Sequence, residues 1–546
     1  MSPPIPSPSH SDGRRGKSAF AFGAFAATLL TVFVLGHDGR RIAQLMALAL
    51  PAVVLLLWPI RSPGWHRLRI GFVWLWAMGF VVDGVVRAFL QEAYHAAPGS
   101  SFVQSAAANT NHREISEYLL MHGHTLLAWS GLMLAAGLIF ARFARHAARV
   151  ATPWPRWTVA TLSLLLLVGG MAYLNKPWRR LHPVLFWTQW SESVHALRAG
   201  WADSQKERAA VLARARSAAP IVTQPGPTTL VLVIADSINR DNMSLYGYGR
   251  ATTPQLKAHK AQLKEQMLVM RNAWSVDAST LPSLHNIMKF GEPDVKEPQH
   301  ILALAHSAGY KIWWMSNHDD MAIEQQHARL ADVVEIVNRM PGRAGASLDG
   351  ELLDDVQEAL EDPVERKLIV VHLMGAHPHY SLRFPQGANP FDDKSDAVDE
   401  VLARSGRSAR VRRFRQEYDA ALLYHDFVVA ETLQLTRSIG RKDEHRAWMY
   451  LSDHGQEVGH TGDNAGHSPQ TASGYRIPTV IWRNAALRPH GVEAEAHPFR
   501  ADWAGWTIAN LLHLSWKREH TGRDAIEGDY RWQAPVLPME VKSFKD

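Results

Sequence analysis

Leu230-Val231-Leu232-Val233-Ile234-Ala235 runs without a polar break into Asp236. A short apolar run rich in Val, Leu and Ile reads as a strand covered on both faces, the condition of strands in parallel sheets. The runs at 311–315, 367–373, 447–451 and 478–482 repeat the pattern, with longer helical patterns between them. Strand and helix alternating in this way predict an α/β domain with a mainly parallel central sheet over 228–546. Sites in such sheets gather beyond the carboxyl ends of strands. Asp236 stands at one such end. Asp453 and His454 stand at another, directly after Trp448-Met-Tyr-Leu-Ser452.

Upstream the character of the chain changes. Five apolar segments, 18–36, 42–60, 70–90, 126–144 and 157–175, are each about long enough to cross a hydrocarbon layer as a helix. Arg14, Arg15 and Lys17 precede the first, Arg61, Arg67 and Arg69 follow the second, and Arg142, Arg145, Arg149 and Arg156 follow the fourth. The other side carries only Arg40, Arg41 and Arg113. By the bias of basic residues towards the cytoplasm, the N-terminus lies inside and everything after about residue 176 lies outside. The expected division is a disordered cytoplasmic tail over 1–17, a five-helix transmembrane domain over 18–175, a bridging helix and linker over 176–227, and the exported α/β domain over 228–546.

Composition narrows the chemistry. The chain has no cysteine, so a metal must be held by Asp, Glu or His. A net charge of +6 without a block of like charge gives no nucleic-acid surface. Asp236, Asp453 and His454 form an oxygen and nitrogen set suited to zinc. With 28 histidines, position must select among them. His377 and His467 follow the strand ends that would converge on the same site. His372 alternates into its strand and reads as buried, while His379 and His460 are spare candidates. A nucleophile is expected in Ser275-Val-Asp277-Ala-Ser279-Thr280, where an alcohol at a helix start beside a metal would be activated and phosphate favoured. Spacing does not choose between Ser279 and Thr280, and either serves equally well as a helix cap.

Leu232-Val-Ile-Ala-Asp236-Ser-Ile-Asn-Arg240-Asp241-Asn-Met-Ser244-Leu-Tyr246-Gly247-Tyr248 resembles the opening of the catalytic domain of bacterial phosphoethanolamine transferases, membrane members of the alkaline-phosphatase/sulfatase superfamily. Ser452-Asp453-His454-Gly455, Val458-Gly459-His460 and Tyr475-Arg476-Ile477-Pro478 are similar to their second metal-binding segment, and five spans plus an exported domain match their architecture. The resemblance implies Zn2+ held by Asp236, Asp453, His454 and the nucleophile. It places Thr280 on the catalytic threonine, with Asp277 as the rival if the alignment is anchored on Pro282. Asp236 stands where the family has Glu, and Gln456 where it often has an acid. His377 and His467 would contact the phosphoryl group or a second zinc. Thr110 and Glu114, in the long loop after the third span, fall where the family receives the lipid headgroup.

The implied activity is transfer of phosphoethanolamine from phosphatidylethanolamine to lipopolysaccharide, at its core or lipid A, through a phospho-threonine intermediate. The implied place is the bacterial inner membrane, multi-pass, with the catalytic domain in the periplasm. A sulfatase-like hydrolase and a phosphoglycerol transferase on the same fold are the alternatives. A sulfatase would need a Cys or Ser ahead of Pro/Ala and Arg, and Ser279-Thr-Leu-Pro-Ser283 lacks the arginine.

Overall fold

The computed structural model describes residues 10–37, 39–58, 60, 62–94, 96–110, 112–146, 155–174, 176–179, 181–202, 204–290, 298–318, 321–337, 347–485, 495–516 and 522–545. It divides into two compact units. One holds the chain up to Gln104 with His122–Ala196; the other joins Ser105–Met121 to Leu197–Asp546. A segment of the N-terminal third therefore belongs with the α/β domain, which no single cut in the sequence expresses.

The first unit is helical. Among the described residues, Pro63–Tyr94, Glu114–Arg142 and Arg156–Leu174 are long and apolar enough to cross a membrane. Gly23–Gly36 and Arg41–Leu55 are shorter apolar helices, so three spans rather than five meet the criterion there. The helix His10–Gly36 starts within the stretch expected to be a disordered tail. Residues 1–9 of that stretch lie outside the described residues. Phe25, Phe33, Phe80 and Phe140 fill the centre of the unit. The first and third helices touch backbone to backbone: a Cβ on Gly36 would lie 2.6 Å from Gly84 O, and one on Gly84 2.7 Å from Val32 O, approaches that glycine permits. Helices Pro183–Ala202 and Ser204–Ala218 occupy the expected bridge.

In the second unit seven strands form the central sheet among the described residues. They are β1 (Thr228–Ala235), β2 (Met267–Val269), β3 (Lys311–Ser316), β4 (Val333–Ile336), β5 (Arg366–Leu373), β6 (His445–Ser452) and β7 (Thr479–Arg483). Their order is β2-β7-β6-β1-β5-β3-β4. The block β6-β1-β5-β3-β4 is parallel, whereas β7 runs antiparallel to both β6 and β2. The sheet is therefore mixed: a parallel five-strand block, as expected of these apolar runs, with one antiparallel strand that the expectation did not include. A buried strand is apolar whichever way it runs. Direction follows from the connection, and the chain between β6 and β7 carries short bridges and a 3-10 turn, not the crossover helix a parallel return uses.

Both faces of β1 are covered, as its unbroken apolar run requires. Leu230, Leu232 and Ile234 pack with Ala303, Leu304 and Ile508 on one side. Val231, Val233 and Ala235 pack with Val356, Tyr418, Leu422 and Val429 on the other. Each fully buried aliphatic side chain contributes about 1.5–3 kcal/mol. A polar residue at any of positions 230–235 would forfeit that contribution. On the second face lies the long helix Ala409–Ser438, whose start is capped by the Ser408 side chain accepting from Val411 N–H.

Candidate metal centre

Sheet register brings the acids together. Ala235 of β1 pairs with Ser452 of β6 and Leu373 of β5, so Asp236 and Asp453 leave neighbouring strands at one level. The Asp453 N–H donates to Ala235 O at 2.9 Å, carrying the ladder one step further. Ligand atoms of Asp236, Asp453 and His454 all lie within 4.8 Å of one another, and all three residues are buried. His454 Nε2 is 3.8 Å from Asp236 Oδ1 and 3.6 Å from Asp453 Oδ2.

These residues fit a cation. Asp453 Oδ1 accepts from Ser237 N–H (3.2 Å) and His454 N–H (2.6 Å), while its buried Oδ2 has no hydrogen-bond partner. His454 Nδ1 meets Gly455 O at 2.7 Å, a contact in which the ring must donate. That fixes the tautomer and leaves the Nε2 lone pair facing the acids, also without a partner. Two carboxylates in a dry pocket cannot share charge comfortably. Burial, and then the charge of Asp236, pushes Asp453 up to about 7. Asp236 is the one that keeps its charge: burial opposes this, but His377, His454, His318 and His467 face it and hold it below the ordinary carboxylate range. A set of two carboxylate oxygens and one imidazole nitrogen is a zinc donor set.

The nucleophile candidates separate by geometry. Helix Thr280–Met288 starts beside the acids, with Ser279 extended at its N-cap and making no side-chain cap hydrogen bond. Thr280 Oγ1 donates to Asp236 Oδ2 at 3.0 Å. Asp277 instead accepts from Asn286 Nδ2 at 2.7 Å, and burial raises its pKa. Of these three, Thr280 is the one whose hydrogen bond reaches Asp236. Gln456, where the family often has an acid, is buried and donates to Tyr380 Oη at 2.9 Å.

Imidazoles complete the pocket wall. His377, four residues beyond β5, lies with its ring 5.8 Å from that of His467, which meets His454 edge-on at 4.7 Å. Burial first, then His454 and His377, keeps His467 well below the usual histidine range and so neutral near pH 7. Sequence reading missed His318. It sits two residues beyond β3 with Nε2 3.9 Å from Asp236 Oδ2 and a ring edge-on to His377 at 6.2 Å. The signal was available, a histidine just past an apolar strand run, the same one that selected His377. His372 is buried in β5, within 3.1 Å of Ser316 Oγ and stacked on His318. The spare candidates are engaged elsewhere, His379 with Ser381 and His460 with Asn242.

Thr110 and Glu114 lie in Ser105–Met121, within the same compact unit as the cluster but outside the cluster itself. Thr110 Oγ1 donates to Ala106 O at 2.7 Å, and Glu114 falls in the first turn of His112–His146. A turn further on, Glu117 forms a buried ion pair with Arg383 (2.5 Å), whose Nε donates to His377 O at 2.9 Å. The segment is thereby tied to the turn that carries His377. No local pattern could announce a pair separated by 266 positions.

Known proteins share this architecture. A family model described as Sulfatase matches residues 228–505, a stretch containing Asp236, Thr280, His318, His377, Asp453, His454 and His467. Phosphoethanolamine transferase EptC of Escherichia coli K12 is 33% identical over 269 residues, covering 47% of this chain and 45% of that protein. The chain thus matches about half the length of this curated relative. The crystal structure of the C-terminal periplasmic domain of Escherichia coli EptC in complex with Zn is 27% identical with a TM-score of 0.52, covering 57% of this chain and 90% of that one. The integral membrane lipooligosaccharide phosphoethanolamine transferase A of Neisseria meningitidis shares the fold at 18% identity and a TM-score of 0.56, over 93% of this chain and 96% of that one. With the family model matching half of its length and the strand-end acids inside that match, this chain belongs to the sulfatase family.

Proposed function

We propose that the chain is a zinc-dependent phosphoethanolamine transferase of the bacterial inner membrane, with five crossings and its catalytic unit in the periplasm. The observation that carries the reading is the Thr280 hydroxyl, 3.0 Å from Asp236 Oδ2 at the edge of a buried, incompletely neutralised Asp–Asp–His set. Zn2+ held by Asp236, Asp453, His454 and Thr280 would lower the pKa of the threonine hydroxyl and draw charge from the phosphoryl oxygens. Thr280 Oγ1 attacks the phosphorus of phosphatidylethanolamine. The bond from phosphorus to the diacylglycerol oxygen breaks, and the threonine proton, leaving along its hydrogen bond to Asp236, ends on that oxygen. A hydroxyl or phosphate of lipopolysaccharide, at its core or lipid A, then attacks the phosphorus; the bond from phosphorus to Thr280 Oγ1 breaks, and the acceptor's proton, or one from water for a phosphate, restores the threonine hydroxyl. His377 and His467 hold the phosphoryl oxygens as donors, each through a ring N–H. Glu114 receives the ethanolamine ammonium, with Thr110 beside it. Membrane spans suit this chemistry because the donor is itself a membrane lipid.

The test uses the full chain in vesicles of labelled phosphatidylethanolamine and lipopolysaccharide. The wild-type protein moves label to lipopolysaccharide and carries a phosphoethanolamine adduct on residue 280 by mass spectrometry. Thr280→Ala retains zinc and does neither. Undiminished transfer by Thr280→Ala would refute the nucleophile; label released only to water would favour a hydrolase.

A further inference from the structure

Asp349 lies outside the metal cluster yet bonds to both of the histidine-bearing turns that flank it. It is buried at the start of the 3-10 turn Asp349–Leu352. Its Oδ1 accepts from Asn317 Nδ2 (2.8 Å) and from Met374 N–H (2.9 Å), and its Oδ2 accepts from Gly375 N–H (2.8 Å). Asn317 immediately precedes His318, and Gly375 stands two residues before His377. One carboxylate therefore grips the chain just beyond β3 and just beyond β5.

The second of these turns rests directly on Asp236. Gly375 has φ +55°, and a Cβ there would come within 2.5 Å of Asp236 O. Ala376 N–H donates to that same oxygen at 3.1 Å, and His377 N–H closes the turn on Met374 O at 3.0 Å. On the other side Ser347 Oγ donates to Asn317 Oδ1 at 2.5 Å, and Asn317 N–H donates to His372 O at 3.1 Å. A shift of the Asp349 carboxylate would move both turns against a fixed Asp236.

We infer that Asp349 is a positioning residue for phosphoryl transfer, setting the His318 and His377 side chains against Asp236 through the turns that bear them. The inference rests on the phosphotransferase reading of the same site. An amide cannot replace the carboxylate. With its oxygen at either position, the NH2 group faces backbone or side-chain N–H donors, and the turns must give way. Catalysis is sensitive to such movements: a misplacement of about 1 Å can cost about a hundredfold.

The experiment compares the full-length wild type with Asp349→Asn, Asn317→Ser and Asp426→Asn. Asp426 serves as a control: a buried carboxylate accepting from Gln255 N–H (2.7 Å) and Leu256 N–H (3.1 Å), away from the histidine turns. For Asp349→Asn, kcat should fall about tenfold to a hundredfold with KM for the labelled donor lipid within about twofold. Zinc content should be unchanged, and hydrogen exchange across 374–377 should accelerate. In a background with both His318→Ala and His377→Ala, Asp349→Asn should add little further loss. Asn317→Ser removes one arm of the brace and should lower kcat less; it also decides the matter if Asp349→Asn does not fold. Asp426→Asn should change thermal stability alone. The inference is overturned if Asp349→Asn leaves kcat and the exchange of 374–377 as in the wild type, or if Asn317→Ser does so when it is the only folded variant. A wild-type protein that transfers nothing would sink the transferase reading instead, and the exchange measurement would still decide whether Asp349 holds the turn.

Discussion

Two buried charge clusters, one in each unit, are built on opposite principles. Around Asp83 both carboxylate oxygens are answered by donors. Its Oδ2 faces His37 Nε2 at 3.1 Å, its Oδ1 accepts from Arg87 Nε (2.8 Å) and Trp187 Nε1 (2.9 Å), and the Arg87 guanidinium lies 4.0 Å over the Phe186 ring. Around Asp236 completion is missing. A second carboxylate stands beside the first, and Asp453 Oδ2 and His454 Nε2 have no hydrogen-bond partner. Taking an ion out of water costs several kcal/mol, so a buried cluster persists only when something repays that cost. The protein itself repays it at Asp83. At Asp236 the repayment is left to a ligand, and a divalent cation has the charge and the donor preference to make it.

The sharpest consequence falls on Asp453. Asp453→Asn removes the negative oxygen that faces His454 and should abolish both zinc retention and transfer, as measured by metal analysis and by label incorporation into lipopolysaccharide. Full zinc occupancy in that variant would erase the distinction between the clusters. Next in size is the mirror experiment. Asp83→Asn leaves Arg87 buried without its charge partner and should destabilise its unit by about 3–5 kcal/mol, as breaking a buried pair does. Thermal denaturation would register this, while zinc content should not move. Zinc loss with Asp83→Asn, or no loss of stability, would show that the two clusters do not differ as argued.

A smaller effect concerns pH. Burial, with the charge of Glu527 added, pushes Asp524 up to about 7 against the hydrogen bonds it receives from Ile526 N–H and Thr507. In the unfolded chain an aspartate titrates near ~3.9. Between those values the folded state holds a proton that the unfolded state has released. Stability contributed by this group is present below the unfolded value, falls as pH rises through the window, and is flat above about 7. Asp524→Asn should reduce that slope, as judged from denaturation midpoints at about pH 5 and pH 8. An unchanged slope would assign the pH dependence to other groups.

What the sequence could and could not disclose follows from the range of each signal. The runs ahead of Asp236 and Asp453 are apolar because both faces of β1 and β6 are covered, so the strand-end acids could be found by composition alone. Hydrogen bonding at one helix start separates Thr280 from Ser279 and Asp277, and spacing cannot express that. The direction of β7 was hidden because a buried strand reads the same either way. His318 was discoverable by the rule that found His377, whereas Glu117 with Arg383 and Asp349 with Gly375 are long-range pairings that leave no local pattern. In the N-terminal third, length and apolarity identify three spans among the described residues; the five-span topology rests on the wider reading of the apolar segments.

The most direct test of the central claim is X-ray absorption at the zinc edge on the purified full-length protein, wild type beside His454→Ala. The wild type should hold zinc with oxygen and nitrogen neighbours at about 2.0–2.2 Å, including imidazole scattering, and His454→Ala should show no zinc with that signature. A wild-type protein without zinc, or an unchanged coordination shell in His454→Ala, would contradict the assignment of Asp236, Asp453 and His454 as the metal grip.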